Sequence, residues 1–227
     1  MRKAPEGQVQ SAITWLKRHG SKRTRDGMAR YGLPSDRAFG VSVGTIQQLS
    51  KRIGRNHDLA IALWDTGWYE TRMLATFVDE PERVTAAQMD NWCARFDNWG
   101  ICDTACFHLF DRTPHAWRKV TQWARRRDEF QKRAAFALLA SLALHDKNGD
   151  DALFARDFAL VERAATDERN FVMKGVNWAL RAVGRRNAAA VVVATRLAAS
   201  SETAPRWVGK TALRELTSPA MRRRLSR

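Results

Sequence analysis

The sequence predicts an all-α fold built from antiparallel helix pairs. Apolar residues recur at helical spacing along most of the chain, and no segment shows the strict alternation that is typical of a half-buried strand. The breaks between helical segments are short and carry turn or capping residues. No shift in composition marks a linker, so we expect one domain over residues 1–227, with residues 221–227 as a flexible basic tail.

The periodicity defines thirteen helical segments before a short terminal one. In chain order they cover residues 8–19, 22–31, 44–54, 57–66, 69–78, 85–95, 98–110, 114–126, 128–145, 150–165, 167–183, 187–199 and 204–216. Asp97 or Asn98 can cap the segment that starts near residue 98, because short polar side chains accept the first free backbone N–H groups. Trp99 and Asp103 then lie one turn apart on the same helix face.

Many helices of this length with short connections suggest that the pairs stack in succession. A two-helix unit that recurs every ~40 residues is typical of a HEAT-like solenoid, or superhelix, whose stacking leaves a concave surface for a ligand. Because the repeat is weak at the level of single residues, a compact helical bundle remains the alternative.

The charge is the most informative part of the composition. Lys and Arg total 39 against 24 Asp and Glu, which gives a formal net charge of +15 and a pI near 10.8. Such a protein usually binds a polyanion. Between Asp58 and Asp103 nine acidic residues face three arginines, so the excess positive charge comes from the other segments. We therefore expect a basic face, which in a solenoid would be a basic concave groove.

Short basic clusters recur near the ends of successive helices. They comprise Lys17, Arg18, Lys22, Arg23 and Arg25, then Arg125–Arg127, Arg185–Arg186 and Arg222–Arg224. A groove that follows a phosphate backbone would show this arrangement, and its binding would depend strongly on salt. Each cluster alone also fits a solvated helix face or a tail.

Three cysteines, Cys93, Cys102 and Cys106, have no spacing typical of a disulfide framework, which indicates a reducing compartment. We expect buried free thiols, no metal ion and no cofactor. No segment has the ~20 apolar residues that a membrane span requires. The expected location is the cytoplasm, with the nucleoid as its place in a bacterium, and the expected state is a monomer.

The segment from Phe96 to Cys106 contains the clearest candidate site. Asp103 lies beside Trp99 in an otherwise apolar run, and a desolvated carboxylate is costly unless it is paired or used. A structural interpretation is also open, with Asp103 as a solvated or paired helix residue and Trp99 and Trp178 in the core.

Five motifs, taken together and in order, resemble those of the AlkD-type DNA alkylation repair glycosylases with HEAT-like repeats. They are Met28-Ala29-Arg30-Tyr31, Leu63-Trp64-Asp65, Trp99 with Asp103, Gln131-Lys132-Arg133-Ala134-Ala135, and the run from Phe171 to Arg181. The resemblance extends from about Met28 to Leu216. One departure is Arg95-Phe96-Asp97-Asn98, where the best-known members carry a second aromatic residue.

The resemblance implies a HEAT-like array that holds duplex DNA in its basic groove. It also implies removal of cationic N3- or N7-alkylated purines without flipping of the base into a pocket. Asp103 matches the catalytic carboxylate, and Trp99 and Trp178 match the tryptophans that contact the lesion nucleotide. Tyr31 and Arg133 match residues that line the same site, with Arg133 as a candidate partner of Asp103, and Lys174, Arg181 and Lys210 match basic residues directed toward DNA.

Three functional hypotheses follow. The first is a monofunctional glycosylase that leaves an abasic site in alkylated double-stranded DNA. The second is a non-catalytic HEAT-like protein that binds damaged or branched DNA. The third, an α-solenoid scaffold for an acidic protein partner, explains the charge but not the arrangement of tryptophan and aspartate.

Overall fold

The computed structural model describes residues 6–147 and 149–225, and no strand occurs within those two ranges. By their internal contacts the residues divide into two compact units, Met1–Pro114 and His115–Arg227. The expectation that residues 1–227 form one domain stays a prediction.

The first unit contains seven α-helices within its described residues, and two 3-10 turns follow the second and the seventh of them. The α-helices are α1 (Glu6–His19), α2 (Lys22–Met28), α3 (Val43–Ile53), α4 (His57–Asp65), α5 (Tyr69–Val78), α6 (Ala86–Cys93) and α7 (Trp99–His108), and the 3-10 turns are Ala29–Tyr31 and Phe110–Arg112.

The second unit contains eight α-helices in the part of the chain that the structure describes. They are α8 (Ala116–Trp123), α9 (Glu129–His145), α10 (Asp151–Arg156), α11 (Phe158–Ala164), α12 (Asn170–Gly184), α13 (Ala189–Ala198), α14 (Thr203–Leu216) and α15 (Pro219–Leu225).

Side-chain caps fix where many of these helices begin. A Ser, Thr, Asn or Asp at the N-cap accepts a hydrogen bond from a backbone N–H group in the first turn, which would otherwise lack a partner. The capping residues are Ser21, Ser42, Asn56, Thr85, Asn98, Asp128 and Asp150.

Neighbouring helices pack as pairs, and the second helices of the pairs pack on one another. In the first unit α4 packs on α5, and α5 also packs on α7. In the second unit the pairs are α8 with α9, α11 with α12 and α13 with α14, while α12 contacts both α9 and α14. This arrangement is how HEAT-like helix pairs stack, and it favours stacked pairs over a bundle within this unit.

The buried residues follow from this packing. Residues 133–143 of α9 are buried all round, as expected for a helix between α8 and α12. In the first unit Trp64 of α4 stacks on Trp92 of α6 with ring centroids 4.0 Å apart. At Gly209 of α14, a Cβ would lie 2.2 Å from the backbone nitrogen of Ala198, so only glycine lets α14 approach α13 this closely.

Two predicted segments differ from the structure. The segment predicted over residues 150–165 is interrupted at Asp157, which is buried and has φ −82° and ψ −2°, so that two short helices replace one. Aspartate is a weak helix former, and the break accompanies the burial of this side chain. The segment predicted over residues 22–31 ends in a 3-10 turn. Residues 221–225 of the expected tail belong to α15, and residues 226–227 lie outside the described residues.

Candidate active site and nucleic-acid interface

Helix α7 carries the candidate catalytic residues Trp99 and Asp103. Asn98 caps the helix, and its Oδ1 accepts a hydrogen bond from the backbone nitrogen of Ile101 at 2.9 Å. The helix therefore begins at Trp99, and Asp103 follows one turn later on the same face. Both side chains are half-buried, so the carboxylate is close to the surface and shielded on one side. The sequence-based expectation of a cap at residue 97 or 98 is confirmed at Asn98.

Trp99 is held in place by a hydrogen bond to a distant segment. Its indole Nε1 donates to the backbone oxygen of Tyr31 at 2.7 Å. Tyr31 ends the 3-10 turn after α2, and Gly32 closes that turn with φ +66°, a conformation that favours glycine. The backbone of Tyr31 is thus bonded to Trp99, while its side chain is 70% exposed.

Tyr69 is a site residue that the sequence analysis did not identify. A Cβ built at Gly100 would lie 2.6 Å from the Tyr69 hydroxyl and 3.1 Å from Cδ2 of Leu33, so the phenol packs directly on the first turn of α7. Burial raises the pKa of Tyr69, and the negative charge of Glu70 adds to this effect. The phenol is therefore neutral at physiological pH.

A carboxylate next to Tyr69 fixes the segment that leads into α3. Glu70 is fully buried, and its oxygens accept hydrogen bonds from the backbone nitrogens of Phe39, Gly40 and Val41 at 2.9, 2.7 and 3.1 Å. This buried charge is compensated because three donors point at it. No local sequence pattern predicts such a contact, since the partners lie about 30 residues apart.

An open cavity of about 720 Å³ adjoins these residues in the first unit. Its walls include Tyr31 and Leu33 from the end of the 3-10 turn, Val41 and Val43 before and in α3, and Tyr69 from α5. Arg23, Arg30 and Asp26 also line it, so the cavity has a partly apolar lining with two cations and one carboxylate.

In the second unit, Arg133 is anchored between two helices. It lies on α9, is 7% exposed, and donates from Nη1 to the backbone oxygen of Phe171 at 2.7 Å. Gly175 of α12 faces its aliphatic part, with a Cβ position 3.4 Å from Cγ of Arg133. Arg133 is therefore a buried cation with a defined orientation.

One face of α12 combines an aromatic ring with cations. Lys174, Trp178 and Arg181 are spaced at one-turn intervals on this face. Lys174 is exposed and makes no ion pair with the residues that the structure describes, whereas Trp178 is half-buried. Lys210, on the neighbouring helix α14, is likewise exposed.

Arg181 is less available for DNA than its position in the sequence suggests. Its Nε donates to Oδ1 of Asn177 at 3.0 Å, and its Nη1 pairs with Glu215 of α14. Arg185 binds the same carboxylate at 2.7 Å. Burial tends to raise the pKa of Glu215, but the hydrogen bonds from the two arginines outweigh it and lower the pKa. One negative charge is thus shared by two cations.

The predicted site residues fall into two groups. The first unit brings together Tyr31, Trp99 and Asp103, and adds Tyr69. The second unit holds the others on α9, α12 and α14, namely Arg133, Lys174, Trp178, Arg181 and Lys210. The pairing of Asp103 with Arg133, and the assignment of all these residues to one site, stay predictions.

The described residues contain no group of three or more His, Cys, Asp or Glu side chains that could hold a metal ion. The side chains of Cys93, Cys102 and Cys106 are buried. Burial raises the pKa of the Cys106 thiol well above its ordinary value. In the part of the chain that the structure describes, no helix is both long and apolar enough to cross a membrane.

The chain matches the model of the DNA alkylation repair enzyme family over residues 12–216. Because the match covers most of its length, this protein belongs to that family. No curated protein sequence matches it significantly.

A solved structure has the same fold. It belongs to a family described as related to the HEAT-like repeat DNA glycosylases with affinity for branched DNA structures. The two chains superpose with a TM-score of 0.78 at 17% sequence identity, over 92% of this chain and 94% of that one. The predicted fold class, all-α with stacked HEAT-like helix pairs, is confirmed.

Proposed function

We propose that this protein is a monofunctional DNA glycosylase that hydrolyses the N-glycosidic bond of cationic N3- or N7-alkylated purines in duplex DNA. The observation that carries the proposal is the pair Trp99 and Asp103 on α7, held by the bond from Trp99 to Tyr31. Membership of the DNA alkylation repair enzyme family and the net charge of +15 support it.

The reaction does not require the enzyme to protonate the leaving base. Alkylation at N3 or N7 leaves a fixed positive charge on the purine, so the base leaves without being protonated. Water adds to C1′ as the bond from C1′ to the purine nitrogen breaks, and the bonding electrons neutralise the base. Asp103, ionised, stabilises the oxocarbenium-like sugar and orients the water, as carboxylates do in glycoside hydrolysis. The water proton passes to solvent, and an abasic site remains.

The other residues bind and orient the lesion. The indole faces of Trp99 and Trp178 favour a cationic base or an electron-poor sugar, by about 0.5 to 2 kcal/mol each. Arg133 supports the ionised state of Asp103, and Tyr31 contacts the lesion nucleotide. Lys174, Arg181 and Lys210 contact phosphates. No metal or cofactor takes part in this scheme.

The decisive experiment measures release of 7-methylguanine or 3-methyladenine from duplex DNA. We expect Asp103→Asn to slow release by at least about 100-fold, the scale on which one electrostatic stabiliser contributes, at equal DNA binding. Asp65→Asn is the matched control, since Asp65 is an exposed carboxylate of the same unit that pairs with Arg95. Equal rates for wild type and Asp103→Asn would exclude the carboxylate mechanism.

A non-catalytic function in binding damaged or branched DNA is the second candidate. It is favoured by the affinity for branched DNA described for the family of the structural neighbour. If wild type and Asp103→Asn both bind DNA and neither releases a methylated base, this candidate replaces the first. In either case we propose a monomer in the cytoplasm, and light scattering with and without DNA tests the monomer.

A further inference from the structure

Helix α14 carries an exposed stripe that the proposed site does not use in full. Thr203, Trp207, Lys210 and Arg214 follow one another at intervals of three or four residues, and all four are exposed. Residues at this spacing share one helix face. Trp207 is 37% exposed, although indoles are usually buried in soluble proteins. We call these four residues the α14 stripe.

The rest of α14 is already occupied by other helices. Gly209 packs against Ala194 and Ala198 of α13. On another side, the backbone oxygen of Val208 accepts a hydrogen bond from Asn177 of α12 at 3.0 Å, and Glu215 pairs with Arg181. The α14 stripe is the face that these contacts leave open.

The α14 stripe carries positive charge only. It holds two cations, Lys210 and Arg214, and no carboxylate. Neither cation forms an ion pair with any of the described residues, and the nearby Glu215 is engaged by Arg181 and Arg185. An exposed indole followed by two free cations, each about one helical turn further along, can bind an aromatic ring and its flanking phosphates.

We infer that the α14 stripe binds an unpaired nucleotide of DNA, with Trp207 stacked on the base and Lys210 and Arg214 on neighbouring phosphates. The inference rests on the proposed DNA binding. Within a duplex both faces of each base are covered by adjacent base pairs, so an indole finds a free face only on an unpaired or terminal base. Binding of duplex DNA by a cationic surface does not require an exposed tryptophan, because contacts with phosphates provide most of the affinity.

The α12 face and the α14 stripe belong to neighbouring helices of the same unit. Arg181 of α12 and Arg185, the residue after its last turn, both pair with Glu215 of α14. Lys174 and Lys210 thus belong to helices in contact. The proposed phosphate contacts on both helices and Trp207 therefore lie within one unit.

The test compares the Kd for two fluorescently labelled DNAs, a blunt duplex and the same duplex with a short single-stranded overhang. We expect the wild type to bind the overhang DNA more tightly. Trp207→Ala should weaken that binding by about 5- to 150-fold, since stacking contributes about 1–3 kcal/mol per base. Binding of the blunt duplex should weaken less, because it offers a free base face only at its two ends. Trp207→Phe should keep most of the preference because it keeps a ring.

Two further variants separate stacking from general effects. Val192→Ala removes an exposed apolar side chain from α13 and should alter neither Kd. Lys210→Ala should weaken both complexes, because it removes a phosphate contact. A 2-aminopurine placed as the first unpaired base should be quenched by the wild type and not by Trp207→Ala.

Equal losses on the two DNAs, or no loss with Trp207→Ala, would overturn the inference. The assay involves no base release, so it can fail while the glycosylase activity is found, and it can succeed while that activity is absent.

Discussion

The indole nitrogen of Trp99 donates a 2.7 Å hydrogen bond to the backbone oxygen of Tyr31, a residue 68 positions earlier in the chain. This bond joins the first turn of α7 to the end of the 3-10 turn after α2. It restricts the orientation of the Trp99 ring, one helical turn before Asp103, while the Tyr31 side chain is exposed. The candidate catalytic carboxylate thus follows an aromatic residue that is anchored by a hydrogen bond to a distant segment.

The first prediction concerns this bond. Trp99→Phe keeps an aromatic face but removes the N–H donor, at a cost of about 1 kcal/mol for the lost bond. We expect base release to slow by about fivefold or more as the ring loses its orientation. Single-turnover rates at saturating enzyme measure this effect. Trp15→Phe is the control, because Trp15 stacks on His19 far along the chain from α7, and an equal slowing in both variants would refute the positioning role.

The second prediction concerns the close contact between Gly100 and Tyr69. Gly100→Ala would place a methyl group 2.6 Å from the Tyr69 hydroxyl, so the phenol or α7 must shift, and we expect a loss of about 1–3 kcal/mol in unfolding free energy. Adding Tyr69→Phe should recover part of it. Gly44→Ala should be nearly neutral, because nothing lies within 4 Å of that Cβ position. Urea denaturation gives the values, and equal effects of both alanines would contradict the prediction.

The third prediction concerns duplex binding by the α12 face. Lys174 is exposed, whereas Arg181 shares Glu215 with Arg185. Lys174→Ala should reduce the slope of log K against log salt by about one and weaken binding of all sequences alike. Arg181→Ala should reduce the slope less, since it removes a cation that is partly neutralised. Titrations of one duplex at several salt concentrations decide this, and a larger change for Arg181→Ala would reverse the assignment.

The fourth prediction concerns pH and the loop before α12. Hydrogen bonds from Arg169, at 2.6 and 2.9 Å, lower the pKa of Asp167 strongly against its burial, and Lys132 of α9 at 2.9 Å adds to the effect. A lowered pKa means that Asp167 stabilises the fold above its ordinary pKa of 3.8. That stability is lost as the pH falls below this value toward the lowered one.

Asp167→Asn should therefore cost about 1–2 kcal/mol of unfolding free energy near neutral pH. The difference from wild type should shrink as the pH falls from about 5 to 2. Glu168→Gln is the control, because Glu168 is an exposed neighbour of the same charge type. A difference that is constant with pH would show that the ionised carboxylate is not the source.

The sequence allowed the helices to be located because helix formation is largely local. Apolar spacing and capping residues act within a few positions, and so Asn98 could be identified as a candidate cap before the structure was known. The break at Asp157 was missed because it depends on burial of that side chain among other helices. The motifs also sufficed to indicate the family, since the match spans residues 12–216.

Contacts between distant segments could not be read from local patterns. Glu70 binds three backbone nitrogens in residues 39–41, Tyr69 packs on Gly100, and Glu215 neutralises part of Arg181. Each contact depends on which helices become neighbours. The residue types alone would have allowed many other contact partners along the chain. Likewise, the sequence contains nine tryptophans and does not indicate which of them is exposed. The packing of α14 shows that Trp207 lies on its open face.

The sequence by itself determined the all-helical fold class, the positive charge and the candidate pair Trp99 and Asp103, because these depend on composition and on spacing within one helix. The tertiary structure alone decided that Trp99 is bonded to Tyr31, that Tyr69 supports α7, and that Trp207 is exposed. The physical reason is that hydrogen bonding and burial of a side chain depend on the segments brought against it in space.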